Sequence, residues 1–505
     1  MKPARPSHHL RARRLGIDTH SETVVFLHKD SSVCRSEGFS SHNRITLSTA
    51  GRQAIATLYQ VESDIIGRDE AGLSDAAWQA LGLKEGDSIV ARHAPPVESL
   101  GMVRGRIFGH ALNEPMLRDI VGDIVAGRYS AIEISAFVTA CAARPMSSEE
   151  VRALTRAMVG VGERLVWDRP VIVDKHSVGG LPGNRTTPIV VAICTALGLV
   201  MPKTSSRAIT SPAGTADTME TLAPVMLDEK TMRDVVEREG GCIVWGGAVN
   251  LSPADDILIR IERALDIDSE GQLIASVLSK KIAAGATHLV VDMPVGPTAK
   301  VRDEAAARSL TAGLLAVSEA FGIRTRVVPG DGRQPIGRGI GPALEARDVL
   351  AVLSGGRHAP QDLRDRAVAL AAALLELGGA AAAGQGAGLA SQALADGRAW
   401  SKFQRICEAQ GGMRTPPSSN HRKTLTAIGD GILATIDNRR LARLAKLAGA
   451  PEDKAAGVEL HVRLGDRMEA GRTPLCTVHA DAVGELAYAL NYADANADLF
   501  GITRP

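Results

Sequence analysis

Two strand-loop-helix units follow each other in residues 171–220, and no other stretch limits the fold and chemistry of the chain as strongly. In the first unit, an apolar run leads into a loop with Lys175 and three glycines before a helical pattern that opens at Pro188. In the second, an apolar run leads into a loop with Lys203 and several hydroxyl residues before a helical pattern from Ala216. Backbone N–H groups at a helix start lack partners within the helix and can bind an anion. The two units therefore predict a phosphate site.

A hydroxyl residue stands directly before each helical pattern. Thr187 precedes Pro188, and because proline is favoured at the first helical position, Thr187 is the predicted N-cap. Thr215 holds the same position in the second unit. The alternative interpretation is that both loops are ordinary glycine-rich turns with capping hydroxyls. Neither loop contains the Gly-Lys-Ser/Thr sequence of nucleotide triphosphatases, so a small phosphate reactant is expected.

Length and composition narrow the class of protein. The 505 residues predict three or four domains of roughly 100 to 200 residues each. The chain has 58 basic and 57 acidic side chains and only 3% aromatic residues, which argues against nucleic-acid binding. No stretch reaches the ~18 continuous apolar residues of a membrane helix. We expect the basic segment 1–14 to be a frayed tail and not a signal peptide.

The six cysteines lie far apart in the sequence. This spacing predicts reduced thiols in a cytoplasmic protein, and it excludes a standard zinc site. The glycine-rich segment 337–341 lacks the spacing of a dinucleotide-binding motif and follows a loop instead of a strand. We therefore expect no metal, flavin or nicotinamide cofactor.

The order of the hydrophobic patterns predicts an α/β multidomain protein. Alternating strand and helix patterns favour a mainly parallel sheet, and two capping boxes, Ser130 with Glu133 and Ser147 with Glu150, mark helices that precede it. The predicted domains are a β-rich, barrel-like N-terminal domain (1–95), a helical domain (96–168, with helical parts near 255–282), an α/β phosphate-binding catalytic domain (169–415) and an α+β C-terminal domain (416–505).

The loop 174–180 and the run 205–220 together resemble the thymidine and pyrimidine nucleoside phosphorylases. The signature of that family has serine, arginine, Gly-Thr, aspartate and glutamate at this spacing. The resemblance extends from about residue 105 to 490, and the run 203–211 is similar to the type 2 subgroup, which has an extra N-terminal domain and includes bacterial thymidine phosphorylases and AMP phosphorylases. It implies a helical domain and an α/β domain that face each other across a cleft. It also implies a homodimer or a larger homo-oligomer.

The resemblance implies phosphorolysis of a nucleoside. Inorganic phosphate, which is a substrate, attacks the anomeric carbon of thymidine and gives thymine and 2-deoxy-α-D-ribose 1-phosphate. By resemblance, the phosphate is bound by Lys175, Ser177, Thr187, Ser205 and Thr215. The residues implied in catalysis near the base are His176, Lys280 and the proton donor Asp268. The residues implied in substrate binding are Gly180, Ser206, Arg207, Ala208, Ile209, Thr210, Ser211, Ser276 and Lys300.

The part of the site that would contact the nucleoside base, here called the base end, departs from the family pattern. Thymidine phosphorylases have a tyrosine and an arginine where this chain has Leu258 and Ile261, so base recognition cannot be carried over. Lys203, Arg207 and Lys300 could instead accept a 5′-phosphate, which makes a nucleoside monophosphate (AMP) phosphorylase that releases ribose 1,5-bisphosphate the second hypothesis.

Two further hypotheses come from other classes. A phosphoribosyltransferase would share the fold but would need acidic magnesium ligands, and none stands beside the loop 175–180. The other is a binding protein without catalysis, whose terminal domains would be docking modules. Asp268 also has a plain structural interpretation, since it stands where a residue could cap the next helix.

Overall fold

The computed structural model describes residues 9–20, 22–208, 211–267 and 269–503. The chain divides into two compact units, Met1–Ala140 and Cys141–Pro505. In the described residues, none of the helices combines the length and the apolar character that a membrane span requires.

The first unit begins with a small closed barrel and continues with helices. Around the barrel the strand order is β1-β5-β2-β4-β3-β6. The elements of this unit are β1 (His9–Arg14), β2 (Val24–His28), α1 (Ser32–Glu37), β3 (Arg44–Ser48), β4 (Gln53–Val61), β5 (Glu70–Leu73), α2 (Asp75–Leu81), β6 (Ser88–His93), α3 (Leu100–Ile107), α4 (Glu114–Val125) and α5 (Ala131–Ala143), the last of which crosses into the second unit. The predicted barrel-like domain is confirmed.

Strand β1 corrects one prediction. The prediction of a frayed tail is wrong for residues 9–14. This stretch pairs in parallel with β5 and antiparallel with β6, and so closes the barrel. Leu10 and Ala12 are each 2% exposed and face the core, while Arg11 and Arg13 point outward. This alternation is the period of a strand with one buried face. Residues 1–8 lie outside the described part of the chain.

The second unit contains the predicted α/β domain. Its elements up to the C-terminal domain are α6 (Ser148–Gly160), β7 (Val173–Ser177), α7 (Thr187–Ala196), β8 (Met201–Ser205), α8 (Thr215–Glu220), α9 (Glu229–Glu239), β9 (Gly241–Trp245), α10 (Pro253–Leu265), α11 (Glu270–Ala283), β10 (His288–Val295), α12 (Glu304–Ala320), β11 (Arg324–Asp331), β12 (Gly339–Ile340), α13 (Pro342–Leu353), α14 (Gln361–Leu377), α15 (Gly386–Ala395) and α16 (Arg398–Ala409).

The sheet at the centre of this domain is parallel. Strands β11, β10 and β7 are hydrogen-bonded in that order, β8 pairs with β9, and a parallel bridge between Ile172 and Val200 joins the two groups. Helix α7 is apolar on all sides and lies inside the core, with Ile189 and Val190 fully buried. Because parallel strands end at the same edge, the loops after β7, β8 and β10 meet there.

The C-terminal residues form antiparallel sheets with two helices, as the α+β prediction required. The elements are β13 (His421–Thr426), β14 (Gly431–Ile436), α17 (Asn438–Leu447), β15 (Gly457–Leu460), β16 (Arg467–Met468), β17 (Pro474–Ala480), α18 (Val483–Ala495) and β18 (Phe500–Thr503). Strand β12 pairs antiparallel with β15 and so belongs to this sheet, in the order β12-β15-β17-β13. The predicted fold class is confirmed, while the exact domain boundaries stay predictions.

Candidate functional site

Lys175 occupies the centre of the first loop region. It lies in β7 and is 1% exposed, and its Nζ donates to Thr186 Oγ1 at 2.9 Å. The same Nζ lies 3.5 Å from Asp292 Oδ2, on the neighbouring strand β10. Burial lowers the pKa of Lys175 to about 8, although the negative charge of Asp292 opposes the shift.

Asp292 is bound by three side chains, two of which are cations. Besides Lys175, it accepts a bond from Asn184 Nδ2 at 3.0 Å and one from Arg366 Nε at 3.0 Å. Burial by itself would raise the pKa of Asp292, but Lys175 and Arg366 outweigh it and lower the pKa below the usual value. Two cations therefore share one carboxylate, which leaves a positive charge near the end of β7 that suits an anion.

Asp174, the residue before Lys175, holds a second buried charge cluster. Its carboxylate is 3.1 Å from Lys203 Nζ on β8 and 2.8 Å from Lys281 Nζ on α11. Burial would raise the pKa of Asp174, yet the two ammonium groups lower it. Burial also lowers the pKa of Lys281 to about 7, against the attraction of Asp174. This cluster ties the two loop-bearing strands to α11.

The two loops are joined by Arg185. Its guanidinium donates to Thr215 Oγ1 at 2.7 Å and to the Ala213 carbonyl at 2.8 Å, both in the second loop. It also donates to Glu345 Oε2 at 2.7 Å. Burial raises the pKa of Glu345 to about 7, although the charge of Arg185 opposes this. The predicted phosphate-binding residue Thr215 is thus fixed to the first loop.

Ser205, the last residue of β8, has a buried hydroxyl that could bind a ligand. The residue is 8% exposed, and among the described residues its Oγ has no hydrogen-bond partner. A buried hydroxyl without a partner costs free energy unless a ligand satisfies it. Ser177, the last residue of β7, is partly exposed.

The predicted N-caps are wrong by one residue. Helix α7 begins at Thr187 with Thr186 as its N-cap, and α8 begins at Thr215 with Gly214 as its N-cap. The physical reason is that proline is tolerated at any position of the first turn, where the missing N–H would have no partner in the helix. Thr187 is 5% exposed, at the start of α7.

The predicted base end lies on α10 and α11. Lys280 Nζ is 2.5 Å from Asp255 Oδ2 and 3.5 Å from Ser206 Oγ, the residue after Ser205. Burial would lower the pKa of Lys280, but Asp255 outweighs it and raises the pKa. Ser276 lies one turn before Lys280 on the same helix. Lys280 therefore keeps its charge next to the second loop.

His176 follows Lys175 at the end of β7. Burial, together with the positive charges of Lys281 and Lys203, lowers the pKa of His176 well below its ordinary value. The imidazole is therefore neutral at pH 7, and it can donate one hydrogen bond and accept another.

The remaining predicted substrate residues line the second loop and its surroundings. Arg207 is bonded to Asp217 at 3.0 Å and to Glu220 at 2.8 Å, and the backbone N–H of Ala208 donates to Asp217. Ser211 Oγ donates to the Ala213 carbonyl at 2.8 Å. Asp268, Ile209 and Thr210 lie outside the described residues, so their predicted roles stay predictions.

Gly180 and Lys300 are in direct backbone contact. Gly180 has φ +79°, and a Cβ there would lie 2.2 Å from the Lys300 nitrogen. Only glycine fits this approach. Leu258 and Ile261, which depart from the family pattern, lie on α10, and Leu258 is 4% exposed.

Several residues of the site have no role in the sequence-based prediction. Thr186, Arg185, Asp292, Lys281 and Arg366 hold or surround the predicted phosphate residues. Asp292 is the last residue of a strand that the sequence predicts. A position at the carboxyl edge of a parallel sheet could therefore have been inferred for it from the sequence. Arg366 lies on α14 and has no such local signal. Within the described ranges, no three His, Cys, Asp or Glu side chains are close enough to hold a metal ion, and the expected lack of a cofactor stays a prediction.

Three parts of the chain match known protein families. Residues 169–400 match the model of the glycosyl transferase family α/β domain, residues 103–162 its helical bundle domain, and residues 432–499 the pyrimidine nucleoside phosphorylase C-terminal domain. A protein of Sphingopyxis alaskensis named "Putative thymidine phosphorylase" is 63% identical over 97% of this chain and 95% of its own. One of the same name from Chelativorans sp. is 59% identical over 99% of this chain and 98% of its own.

The chain belongs to the thymidine and pyrimidine nucleoside phosphorylase family. Membership in this family makes it an enzyme of the pentosyltransferase class. Among solved structures, anthranilate phosphoribosyltransferase from Thermus thermophilus aligns with this phosphorylase family member at a TM-score of 0.52 and 21% identity, over 61% of this chain and 98% of that one. This likeness concerns the fold alone.

Proposed function

We propose that the enzyme cleaves thymidine with inorganic phosphate and releases thymine and 2-deoxy-α-D-ribose 1-phosphate. The observation that carries the proposal is the contact between Lys280 Nζ and Ser206 Oγ at 3.5 Å. It brings a base-end residue of α11 next to Ser205, a predicted phosphate residue. A phosphate and a nucleoside bound to these groups would lie side by side, as attack on the anomeric carbon requires.

In this mechanism, fixed charges and donors orient the phosphate. The ammonium of Lys175 attracts it, and the hydroxyls of Ser177, Thr187, Ser205 and Thr215 direct its oxygens. A phosphate oxygen forms a bond to the anomeric carbon while the bond from that carbon to the base nitrogen breaks, and the electron pair of the broken bond stays on the base.

The departing base carries developing negative charge. Lys280 stabilises that charge, and neutral His176 donates a hydrogen bond to the base. Asp268 would supply the proton that the base finally takes up. The substrate-binding roles of Gly180, Ser206, Arg207, Ala208, Ile209, Thr210, Ser211, Ser276 and Lys300 belong to the same proposal.

Thymidine is preferred to a nucleoside monophosphate because the candidate 5′-phosphate cations Lys203 and Arg207 have partners within the protein. Lys203 is 5% exposed, donates to the Thr204 carbonyl at 2.7 Å and pairs with Asp174. Arg207 binds Asp217 and Glu220. Two carboxylates already balance the charge of Arg207, so it gains less from a further anion.

The test measures free base after incubation with thymidine, uridine, AMP or CMP, with and without phosphate. We expect thymine release that depends on phosphate and is lost in Lys175→Met. Lys402→Met is the matched control, because Lys402 is 13% exposed and pairs with Glu239 on α9; this variant should keep full activity. Turnover of AMP without turnover of thymidine would favour the monophosphate reaction, and pyrophosphate release from phosphoribosyl pyrophosphate would favour a phosphoribosyltransferase.

We also infer that the reaction serves nucleotide salvage in the cytoplasm and that the enzyme is a homo-oligomer. All six cysteines are buried and none of them forms a disulfide, which fits a reducing compartment. Salvage follows from the chemistry, because phosphorolysis keeps the sugar as a phosphate ester. Sedimentation analysis checks the oligomer: a single species with the mass of the monomer would contradict it.

A further inference from the structure

The guanidinium of Arg185 links the two predicted phosphate loops, and each of its three nitrogens donates one hydrogen bond to the protein. Arg185 is 12% exposed, and its three side-chain nitrogens donate to Glu345, Thr215 and Ala213 at 2.7, 2.7 and 2.8 Å. A fork of this kind fixes both distance and angle, which a lysine cannot do. The contacts hold the second loop at one position relative to the first.

Glu345 anchors this fork in the core. It is 1% exposed on α13, and its carboxylate also accepts bonds from Thr218 Oγ1 at 3.1 Å and from the Gly341 N–H at 3.3 Å. Thr218 lies on α8, the helix that begins at Thr215. The same carboxylate therefore holds Arg185 and the helix whose first residue Arg185 contacts.

The contact with Thr215 has a consequence for hydrogen bonding. Thr215 Oγ1 accepts from Arg185, and in the described part of the chain no bond is formed in which this hydroxyl is the donor. Because a hydroxyl has one proton and two lone pairs, the bond from Arg185 leaves its proton for another acceptor. Thr186, the residue after Arg185, accepts a bond from Lys175 Nζ at 2.9 Å, so the segment that carries Arg185 lies against Lys175.

We propose that Arg185 is a positioning residue that aims the Thr215 hydroxyl at the phosphate held by Lys175. This inference rests on the proposed phosphorolysis. Three of its five N–H groups donate to Glu345, Thr215 and Ala213, and in this proposal it acts on the phosphate through Thr215. Substitution of Arg185 should therefore change the kinetic constants for phosphate far more than those for the nucleoside.

The experiment compares Arg185→Gln and Arg185→Lys with the wild type, varying phosphate and thymidine separately. We expect kcat/KM for phosphate to fall about 10-fold to 100-fold in Arg185→Gln, the size of effect that a small misplacement produces, while KM for thymidine changes little. Arg185→Lys keeps the charge without the fork and should be intermediate. Arg326→Gln is the matched control, since Arg326 pairs with Glu376 at 3.2 Å near the start of β11 and is 47% exposed.

A double-mutant cycle separates positioning from a general structural role. Thr215→Val removes the hydroxyl and keeps the shape. In that background, Arg185→Gln should lower kcat/KM for phosphate by far less than in the wild type. An equal loss in both backgrounds would overturn the proposal. If Arg185→Gln does not fold, the same cycle with Arg185→Lys decides.

Failure of this inference differs from failure of the proposed function. The increase in unfolding temperature on adding inorganic phosphate is measured in parallel. A wild type that shows neither this increase nor phosphate-dependent thymine release would contradict the phosphorolysis and, with it, the role of Arg185. A wild type that shows both, with an Arg185→Gln variant that also keeps both, would contradict the role of Arg185 alone.

Discussion

Lys175 combines burial with a charge that the proposed reaction needs. Its side chain is 1% exposed, and its pKa falls to about 8 because burial outweighs the attraction of Asp292. An exposed lysine would keep its proton up to about pH 10.4. Lys175 is thus mostly charged at neutral pH and loses its charge in a pH range where an exposed lysine keeps it.

We predict that kcat/KM for phosphate decreases as the pH rises above about 8, by about tenfold per pH unit once Lys175 is mostly neutral. The effect on stability has the opposite sign: between about pH 8 and 10.5 the unfolded chain binds the extra proton, so this group makes the free energy of unfolding rise with pH. A rate profile from pH 6 to 10, with urea unfolding at each pH, checks both. An efficiency that stays constant to pH 9.5 would contradict the prediction.

The sequence alone can predict the site residues that belong to a local pattern. Lys175, Ser205 and Thr215 stand in loops between a strand and a helix, so their type and position could be inferred. The pairing of Arg366 with Asp292 joins positions 74 residues apart and depends on how α14 packs. No spacing within the sequence carries that information.

Among the elements, β7, β8 and α11 are held together by Asp174. Both of its lysine partners are nearly inaccessible, with Lys203 at 6% and Lys281 at 2% side-chain exposure. Removing one member of a buried ion pair leaves an unpaired charge, which costs far more than the pair itself contributes. The three elements carry Lys175, Ser205 and Lys280, so their separation would disturb the whole site.

Asp174→Asn should therefore lower the free energy of unfolding by about 3–5 kcal/mol. Urea unfolding followed by circular dichroism gives this value. The matched control is Asp331→Asn, because Asp331 pairs with Arg333 at the surface, where both side chains are largely exposed, and its loss should change stability little. Similar losses in the two variants would show that burial of the Asp174 cluster is not what makes it important.

Two adjacent glycines give a test of the contact between loops. Gly179 and Gly180 both have positive φ, +92° and +79°, so alanine at either position strains the backbone by roughly 1–2 kcal/mol. Only at Gly180 would the added Cβ strike Lys300, whereas at Gly179 it meets nothing within 4 Å. Gly180→Ala should raise KM for thymidine about tenfold or more, and Gly179→Ala much less. Steady-state kinetics on both variants measures this difference. An equal increase in KM for thymidine in the two variants would contradict the prediction.

The sequence predicts most elements, and its errors have physical causes. Helix Asn438–Leu447 and the strands around 242–244 and 288–292 are confirmed because their patterns are strong and uninterrupted. Strand β1 is not predicted because its alternating pattern has only two apolar residues, Leu10 and Ala12, and its stability depends on pairing with β5 and β6, which are distant in the sequence.

In the second unit as a whole, the C-terminal domain contributes to the surroundings of the site. Strand β12 joins its sheet, and Lys454 reaches Glu220 at 3.1 Å. Asn438, at the start of α17, is fully buried and donates to Thr298 Oγ1 at 3.0 Å and to the Gly332 carbonyl at 2.9 Å. These contacts span 140 and 106 residues of sequence, so the pattern of the chain could not predict them.

The Asn438 contacts imply a functional link between the C-terminal domain and the substrate. Thr298 stands two residues before Lys300, in a loop closed by the bridge between Val295 and Val301. Without the amide of Asn438, the Gly332 carbonyl loses a buried partner, which costs about 1–3 kcal/mol, and the loop loses its contact through Thr298.

Asn438→Ala should therefore lower kcat/KM for thymidine about tenfold while the KM for phosphate changes less, because Lys300 and not Lys175 depends on this loop. Steady-state kinetics with each substrate varied in turn measures the difference. The control is Asn496→Ala, because the side-chain amide of Asn496 donates to the Tyr492 carbonyl, one turn earlier in the same segment. If Asn438→Ala lost stability but kept both kinetic constants, the domain would support the fold alone, and Lys300 would owe its position to the backbone contact with Gly180.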